Sequence, residues 1–278
     1  MLFARPAPCQ IDSVIIDIAR TQKVDVYMSK RVLVATDNSP ARESSTQRYT
    51  PPALRIPPAF HFVWLGRQPA SQQESYRLSQ WARMHPDWRI EVWNRTRLPP
   101  LPGGLATLVA AALVAPDGGA NVLVSHAVRY AAVYAFGGVY VDNTVEPLRP
   151  IEPILLDTDA FVVHAGSRRL CSSAFGAIAG HHFVRSLLDS VPVDVPPVGG
   201  WETAGWRSGA RLVTSVALST GFFAQPRTRA FSPHVFFPPN ASNGPPYDPL
   251  SYAVHHSQPQ GQVTNGFSID GGSAREVM

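Results

Sequence analysis

The chain is short of lysine and cysteine, and it contains no long hydrophobic run. Lysine occurs only at positions 23 and 30, so arginine supplies nearly all of the 24 basic residues. Alanine, proline and glycine are also abundant, which is typical of a GC-rich genome. Cys9 and Cys171 have neither metal-ligand nor disulfide spacing, which is compatible with a reducing compartment. No run of about 18 apolar residues and no apolar signal-peptide core is present, so neither a membrane span nor a secretory leader is predicted.

The composition describes a globular chain of moderate polarity. Of the 278 residues, 45% are hydrophobic and 16% are charged, and the net charge of +4 gives no support to nucleic-acid binding. The segment 1–52 is predicted to be a loosely ordered extension that ends in a linker rich in Ser, Thr, Pro and Arg. One domain is predicted over residues 53–257, followed by a flexible tail over 258–278.

A helix, a glycine pair and a short strand follow one another in the middle of the chain. Apolar residues recur at helical spacing over Ser125–Phe136, and Gly137-Gly138 predicts the end of that helix. Val139–Val141 then has the pattern of a buried strand. Asp142 follows it directly, and acidic groups at the carboxyl end of a buried strand lie where open α/β sheets bind ligands. This pattern alone predicts a ligand site at a strand end.

Further elements alternate along the chain as expected for an α/β domain. An apolar strand is predicted over Ile56–Gly66, and the other predicted elements are a helix at Gln72–His85, a strand at Trp88–Trp93, a helix at Ala106–Leu113, a strand at Ala160–His164 and a helix at Phe183–Ser190.

Several motifs in the correct order resemble the glycosyltransferases with a DXD sugar-binding motif. The resemblance is to yeast-type initiating α-mannosyltransferases and bacterial capsule transferases, and more distantly to the glucosylating clostridial toxins, and it covers about residues 55–257. Phe236–Pro239 resembles a strand of that family, and Tyr252–His256 resembles its terminal motif. The residues that match the central pattern are Ser125, Arg129, Tyr130, Gly137, Gly138, Tyr140, Asp142, Val145 and Glu146.

The resemblance implies an α/β fold of the GT-A type, with a Rossmann-like nucleotide-sugar-binding domain. It implies a hexosyltransferase that moves a sugar from a nucleotide-diphosphate donor to a glycan, small-molecule or protein acceptor, with retention of configuration. A divalent cation, Mn²⁺ or Mg²⁺, is the implied cofactor. The alternative is a degenerate module that binds a nucleotide sugar or glycan without turnover. The expected location is the cytoplasm, with secretion as an effector as the alternative.

The resemblance also implies a set of site residues. Asp142 and Arg129 are the expected catalytic residues, and Asp142 and His256 are the expected metal ligands. His61 is expected to be structural. Contacts to the donor are expected from Trp64, Ser125, His126, Tyr130, Asn143 and Thr144.

Two positions depart from the family pattern, and both replace an acid. Thr144 stands where the second DXD acid belongs, and a hydroxyl is a weaker ligand for a hard cation than a carboxylate. Three accounts stay open: a weakened metal site, neutralisation by basic residues, or lost catalysis, with Glu146 as a substitute ligand in the first. His126 replaces the other acid, and with Arg129 on the same helix face it is expected to form a positive wall beside the diphosphate.

Overall fold

The computed structural model divides the chain into two compact units, residues 1–51 and 52–278, which are taken separately. In the first unit, strand β1 (Val24–Met28) pairs antiparallel with β2 (Leu33–Asp37). The tail at 258–278 and the rest of the predicted N-terminal extension lie outside the described residues. The structure describes residues 24–28, 33–37, 53–66, 70–114, 119–165, 169–193, 207–238 and 247–256.

The second unit is an α/β domain built on a six-stranded sheet with the order β4-β3-β5-β8-β7-β9. Strand β8 runs antiparallel to both neighbours and the other five strands share one direction, so the sheet is mostly parallel. A two-stranded sheet pairs β6 with β10. The strands are β3 (Ala59–Trp64), β4 (Arg89–Asn94), β5 (Gly138–Val141), β6 (Val145–Pro147), β7 (Ala160–His164), β8 (Leu170–Ala177), β9 (Thr228–Phe231) and β10 (Ala253–His255).

Helices cover both faces of this sheet. The first, α1, begins with a capping box in which Ser71 and Glu74 exchange side-chain and backbone hydrogen bonds. Among the described residues no helix is long and apolar enough to cross a membrane. The helices are α1 (Gln72–Met84), α2 (Gly103–Val114), α3 (Gly119–Phe136), α4 (Glu152–Leu155), α5 (His182–Asp189), α6 (Ala210–Ser219) and α7 (Pro233–Phe236), with a 3-10 turn at Phe222–Ala224.

Alternation along the strands divides the buried side chains between two cores. In β5, Val139 and Val141 pack on the side of α1, in a core that contains Phe60 and Trp81. Tyr140, between them, packs on the opposite side, in the core that α2, α3, α5 and α6 build. This two-sided burial explains why the central strands are continuously apolar in sequence.

The glycine pair between α3 and β5 is required by close backbone approach. Gly137 and Gly138 have φ of 64° and 108°, in the left-handed region that side chains disfavour. A Cβ at Gly138 would lie 2.6 Å from the Ala59 carbonyl oxygen and 2.9 Å from His61 Nε2. The turn therefore brings β5 tightly against β3.

The predicted elements agree with the structure except at the start and near the end of the domain. The predicted strand at Phe236–Pro239 is wrong, because the structure has a helical turn at Pro233–Phe236, closed by the Phe237 N–H to the Pro233 carbonyl at 2.6 Å. Pro233 occupies the first position of that turn, where its fixed φ favours a helix start and its missing N–H costs nothing. The predicted strand that opens the domain is shorter than the apolar run, ending at Trp64.

His61 connects three parts of the fold through its ring. The Trp93 indole donates to Nδ1 at 3.1 Å, and Nε2 contacts the Gly137 carbonyl oxygen at 2.7 Å. Because an indole only donates and a carbonyl only accepts, the ring is the neutral Nε2–H tautomer. Burial lowers the pKa of His61, in agreement with this assignment. The side chain therefore joins β3, β4 and the glycine turn without carrying a charge.

Replacing His61 with Phe is expected to lower the free energy of unfolding by at least about 2 kcal/mol. The change keeps an aromatic ring but leaves the Trp93 N–H and the Gly137 carbonyl without a partner in the interior. Urea unfolding followed by tryptophan fluorescence measures the loss, with the same change at the exposed His182 as the control. Equal stabilities of the two variants would contradict the bridging role of His61.

Candidate functional site at the carboxyl edge of β3 and β5

The sheet changes direction of growth between β3 and β5. From β3 the chain passes through α1 to β4 on one side, and it returns through α2 and α3 to β5 on the other side. The carboxyl ends of β3 and β5 therefore border the crevice where open α/β sheets bind ligands. Trp64 ends β3, and the Asn143 amide, just after β5, donates to the Val63 carbonyl at 3.3 Å. This edge of the sheet is the candidate site.

Asp142 is held in place by two groups that both contact its Oδ1 atom. The Tyr140 hydroxyl donates to Oδ1, and Arg129 Nη1 lies 3.3 Å from the same oxygen. Burial raises the pKa of Tyr140 well above its usual value, so the phenol keeps the proton that it donates. Among the described residues Oδ2 has no side-chain partner. The protein thus fixes the carboxylate through one of its two oxygens.

The Arg129 guanidinium group also donates hydrogen bonds to other groups of the protein. Its Nη1 donates to the Ser172 carbonyl at 2.8 Å, and its Nη2 donates to the Ser125 hydroxyl at 3.0 Å. The guanidinium carbon also lies 4.3 Å from the centre of the Tyr140 ring, within cation–π distance. Arg129 is 5% exposed. Its main described role is to fix Asp142 against α3 and β8.

His126 is neutral, so the positive wall expected from the sequence carries its charge at Arg129 alone. Burial and the neighbouring Arg129 charge lower the pKa of His126 well below its usual value. Its Nδ1 lies 2.7 Å from the Ser208 hydroxyl, and the Tyr130 hydroxyl donates to the Ser208 carbonyl at 2.8 Å. The two α3 side chains therefore meet the segment that leads into α6.

Thr144 and the two terminal histidines build the opposite side of the site. The Thr144 hydroxyl lies 3.2 Å from His255 Nε2, and burial lowers the pKa of His255. The next histidine, His256, points to the other partner and places Nε2 2.7 Å from Glu146 Oε2. These contacts connect β6 to β10 and use both histidines of the terminal motif.

The residues at this edge do not fit a resident metal ion as they stand. Asp142 is balanced by Arg129, the Thr144 hydroxyl contacts His255, and Glu146 contacts His256. No group of three or more His, Cys, Asp or Glu side chains suited to a metal ion occurs within the described ranges. A hard divalent cation favours several carboxylate or carbonyl oxygens, which this arrangement does not offer together.

The structure brings most of the predicted site residues to one edge of the sheet. Asp142, Asn143 and Thr144 form the turn after β5, and Trp64 ends the neighbouring strand. The predictions for the α3 residues Ser125, His126 and Tyr130 and for the metal ligand His256 stay predictions.

Sequence reasoning missed two residues at this edge, Arg77 and His255. Arg77 precedes Trp81 by four residues on α1, so the two lie on the same face of the helix. This spacing was the signal that Arg77 faces the interior. His255 and His256 are adjacent, and only the pairing of β10 with β6 shows which of them faces Thr144.

Residues 71–161, about a third of the chain, match the family model described as "Glycosyltransferase sugar-binding region containing DXD motif". This segment contains α1, the glycine pair and Asp142. Residues 71–161 are therefore similar to the sugar-binding region of the DXD glycosyltransferases, and they lie within the α/β domain described above.

Solved glycosyltransferase structures resemble the chain at low sequence identity. "PaToxG Glycosyltransferase" is 12% identical with a TM-score of 0.46, over 61% of this chain and 71% of that chain. The UDP-bound glycosyltransferase domain from the YGT toxin is 9% identical with a TM-score of 0.44, over 64% and 80%. No curated protein sequence matches the chain.

Replacing Arg129 with Met is expected to lower the free energy of unfolding by about 3–5 kcal/mol, because it leaves the Asp142 carboxylate without its partly buried partner. Asp142→Asn added to that variant is expected to recover part of the loss. A double-mutant cycle by urea unfolding measures the coupling.

The control for this cycle is the exposed pair of Arg185 and Asp189, whose N–O distance is 2.8 Å. Arg185→Met is expected to change stability little, because exposed ion pairs contribute little. Strictly additive effects of the Arg129 and Asp142 variants would contradict the coupling.

Proposed function

We propose that this chain transfers a sugar from a nucleoside-diphosphate sugar to an acceptor, as a hexosyltransferase. The observation that carries the proposal is the carboxylate of Asp142, fixed by Arg129 and Tyr140 at the carboxyl edge of β5, inside the DXD sugar-binding region. A fixed carboxylate with one open oxygen is suited to accept hydrogen bonds from sugar or ribose hydroxyls. Retention of configuration is part of the proposal on the strength of the sequence resemblance.

Catalysis in such a site depends on holding the donor and stabilising the leaving diphosphate. Asp142 positions the donor, and the Asn143 and Thr144 turn borders the same crevice. Trp64, at the end of β3, offers a ring for stacking on the nucleotide base, a contact that tolerates different bases. The acceptor is a glycan, a small molecule or a protein side chain.

Incubation with a panel of nucleotide sugars, in chelator and across a manganese titration, tests this function. Release of nucleoside diphosphate or transfer to an added acceptor supports the enzyme. Protection against thermal unfolding by a nucleotide sugar, without any turnover, instead supports the second candidate, a binding module. The replacement of two family acids by His126 and Thr144 is the specific observation that favours that candidate.

Replacing Asp142 with Asn is expected to weaken nucleotide-sugar binding at least about tenfold, or about 1.4 kcal/mol. The amide keeps the size of the side chain but is a weaker acceptor than the carboxylate. Titration calorimetry on protein shown to be folded measures the change, with Asp189→Asn on the exposed face of α5 as the control. Identical binding curves for Asp142→Asn and the wild type would remove Asp142 from the site.

Replacing Thr144 with Asp is expected to tighten manganese binding, because it adds a carboxylate close to Asp142. The wild-type protein is expected to depend weakly on the metal, which donor hydrolysis in chelator measures. Thr107→Asp, on the exposed side of α2, adds the same charge elsewhere and is the control. Complete loss of wild-type hydrolysis in chelator, with recovery at low manganese, would contradict this expectation.

A further inference from the structure

Arg77 is a buried arginine on α1 whose guanidinium group lacks a protein partner among the described residues. It is 7% exposed, yet it makes no hydrogen bond and no close ion pair in that part of the chain. Among the described residues, Glu152 Oε2 is the one side-chain polar atom that is shielded from solvent and has no hydrogen-bond partner. The nitrogen atoms of Arg77 are not in this class. They therefore keep some contact with solvent, although the residue as a whole is buried.

The position of α1 directs Arg77 towards the side of the site that contains Thr144. Trp81, one turn further along α1, donates its indole N–H to the Val145 carbonyl on β6 at 2.9 Å. Arg77 lies on the same face of the helix, four residues earlier. The charges of Glu146 and Glu74 act on Arg77, and the charge of Arg77 acts on His255, which contacts the Thr144 hydroxyl. Arg77 thus lies beside the turn that follows β5.

The other described basic groups of this edge are already engaged or neutral. Arg129 is paired with Asp142, and His256 contacts Glu146 at 2.7 Å. His126 and His255 keep neutral rings because burial lowers their pKa. A diphosphate at this edge carries at least two negative charges. None of the basic groups just named remains to pair with those charges.

We propose that Arg77 binds the diphosphate of the donor, in the place where a second DXD acid would otherwise hold a metal ion. The inference rests on the proposed use of a nucleoside-diphosphate sugar. The guanidinium group presents a planar set of N–H donors that matches two phosphate oxygens at once. Burial keeps water away and strengthens the contact. Thr144 fits this arrangement, because a neutral hydroxyl does not compete with the diphosphate for Arg77.

The test compares Arg77→Met, Arg77→Lys and Arg83→Met with the wild type in chelator, by titration calorimetry. Arg83 lies on the same helix, is exposed and contacts Gln80, so its variant removes the same charge from a different face. The probes are the nucleoside, the monophosphate and the diphosphate of uridine, guanosine and adenosine. Each series adds phosphates to a constant base.

Arg77→Met is expected to weaken diphosphate binding at least about tenfold and to leave nucleoside binding unchanged. Arg77→Lys is expected to recover part of the affinity, since it restores the charge but not the paired donors. Arg83→Met is expected to bind all three probes as the wild type does. A merely structural Arg77 would instead lower the melting temperature and weaken nucleoside and diphosphate binding equally, which would overturn the inference.

Two further outcomes separate this inference from the proposed function. If the wild type binds a nucleoside diphosphate and Arg77→Met binds it equally well, the inference about Arg77 is wrong and the proposed function stands. If the wild type binds none of the nucleoside diphosphates either in chelator or with manganese, the proposed function is wrong and the inference falls with it.

Discussion

The site depends on one buried guanidinium group, that of Arg129. It reaches Asp142 at the end of β5, the Ser172 carbonyl in β8 and the Ser125 hydroxyl on its own helix. An unpaired charge at this depth would destabilise the fold, so each of these contacts has to form when α3 packs on the sheet. The packing of the domain therefore sets the orientation of Asp142 before any ligand binds.

Charge balance explains how the edge of the sheet tolerates the loss of an acid at position 144. Asp142 is matched by Arg129, and Glu146 lies against His256. A second carboxylate at position 144 would give the edge an excess of negative charge, which a divalent cation would neutralise. With Thr144 in place, Arg129 is the close ion-pair partner of Asp142, and the Thr144 hydroxyl meets a neutral His255.

Local patterns were sufficient to predict the helix α3, the glycine turn and β5, because each depends on neighbours in sequence. Gly137 and Gly138 carry the positive φ that the turn requires, as expected. The contacts that build the site are of another kind. Thr144 and His255 are 111 residues apart, and their meeting depends on the pairing of β6 with β10. The resemblance placed a strand from Phe236 onwards, where the structure ends a helical turn, because the adjacent Phe236 and Phe237 suit a strand equally well.

Burial also determines which groups at the site keep a charge. Removing an imidazole from water favours its neutral form, and this applies to His61, His126 and His255. A guanidinium group keeps its proton under the same conditions, because its pKa starts far above neutrality. The arginines thus carry the positive charge of this edge, while the histidines provide hydrogen-bonding atoms without charge. In this chain, the buried ring of His126 therefore supplies hydrogen-bonding atoms without charge where α3 meets the segment that leads into α6.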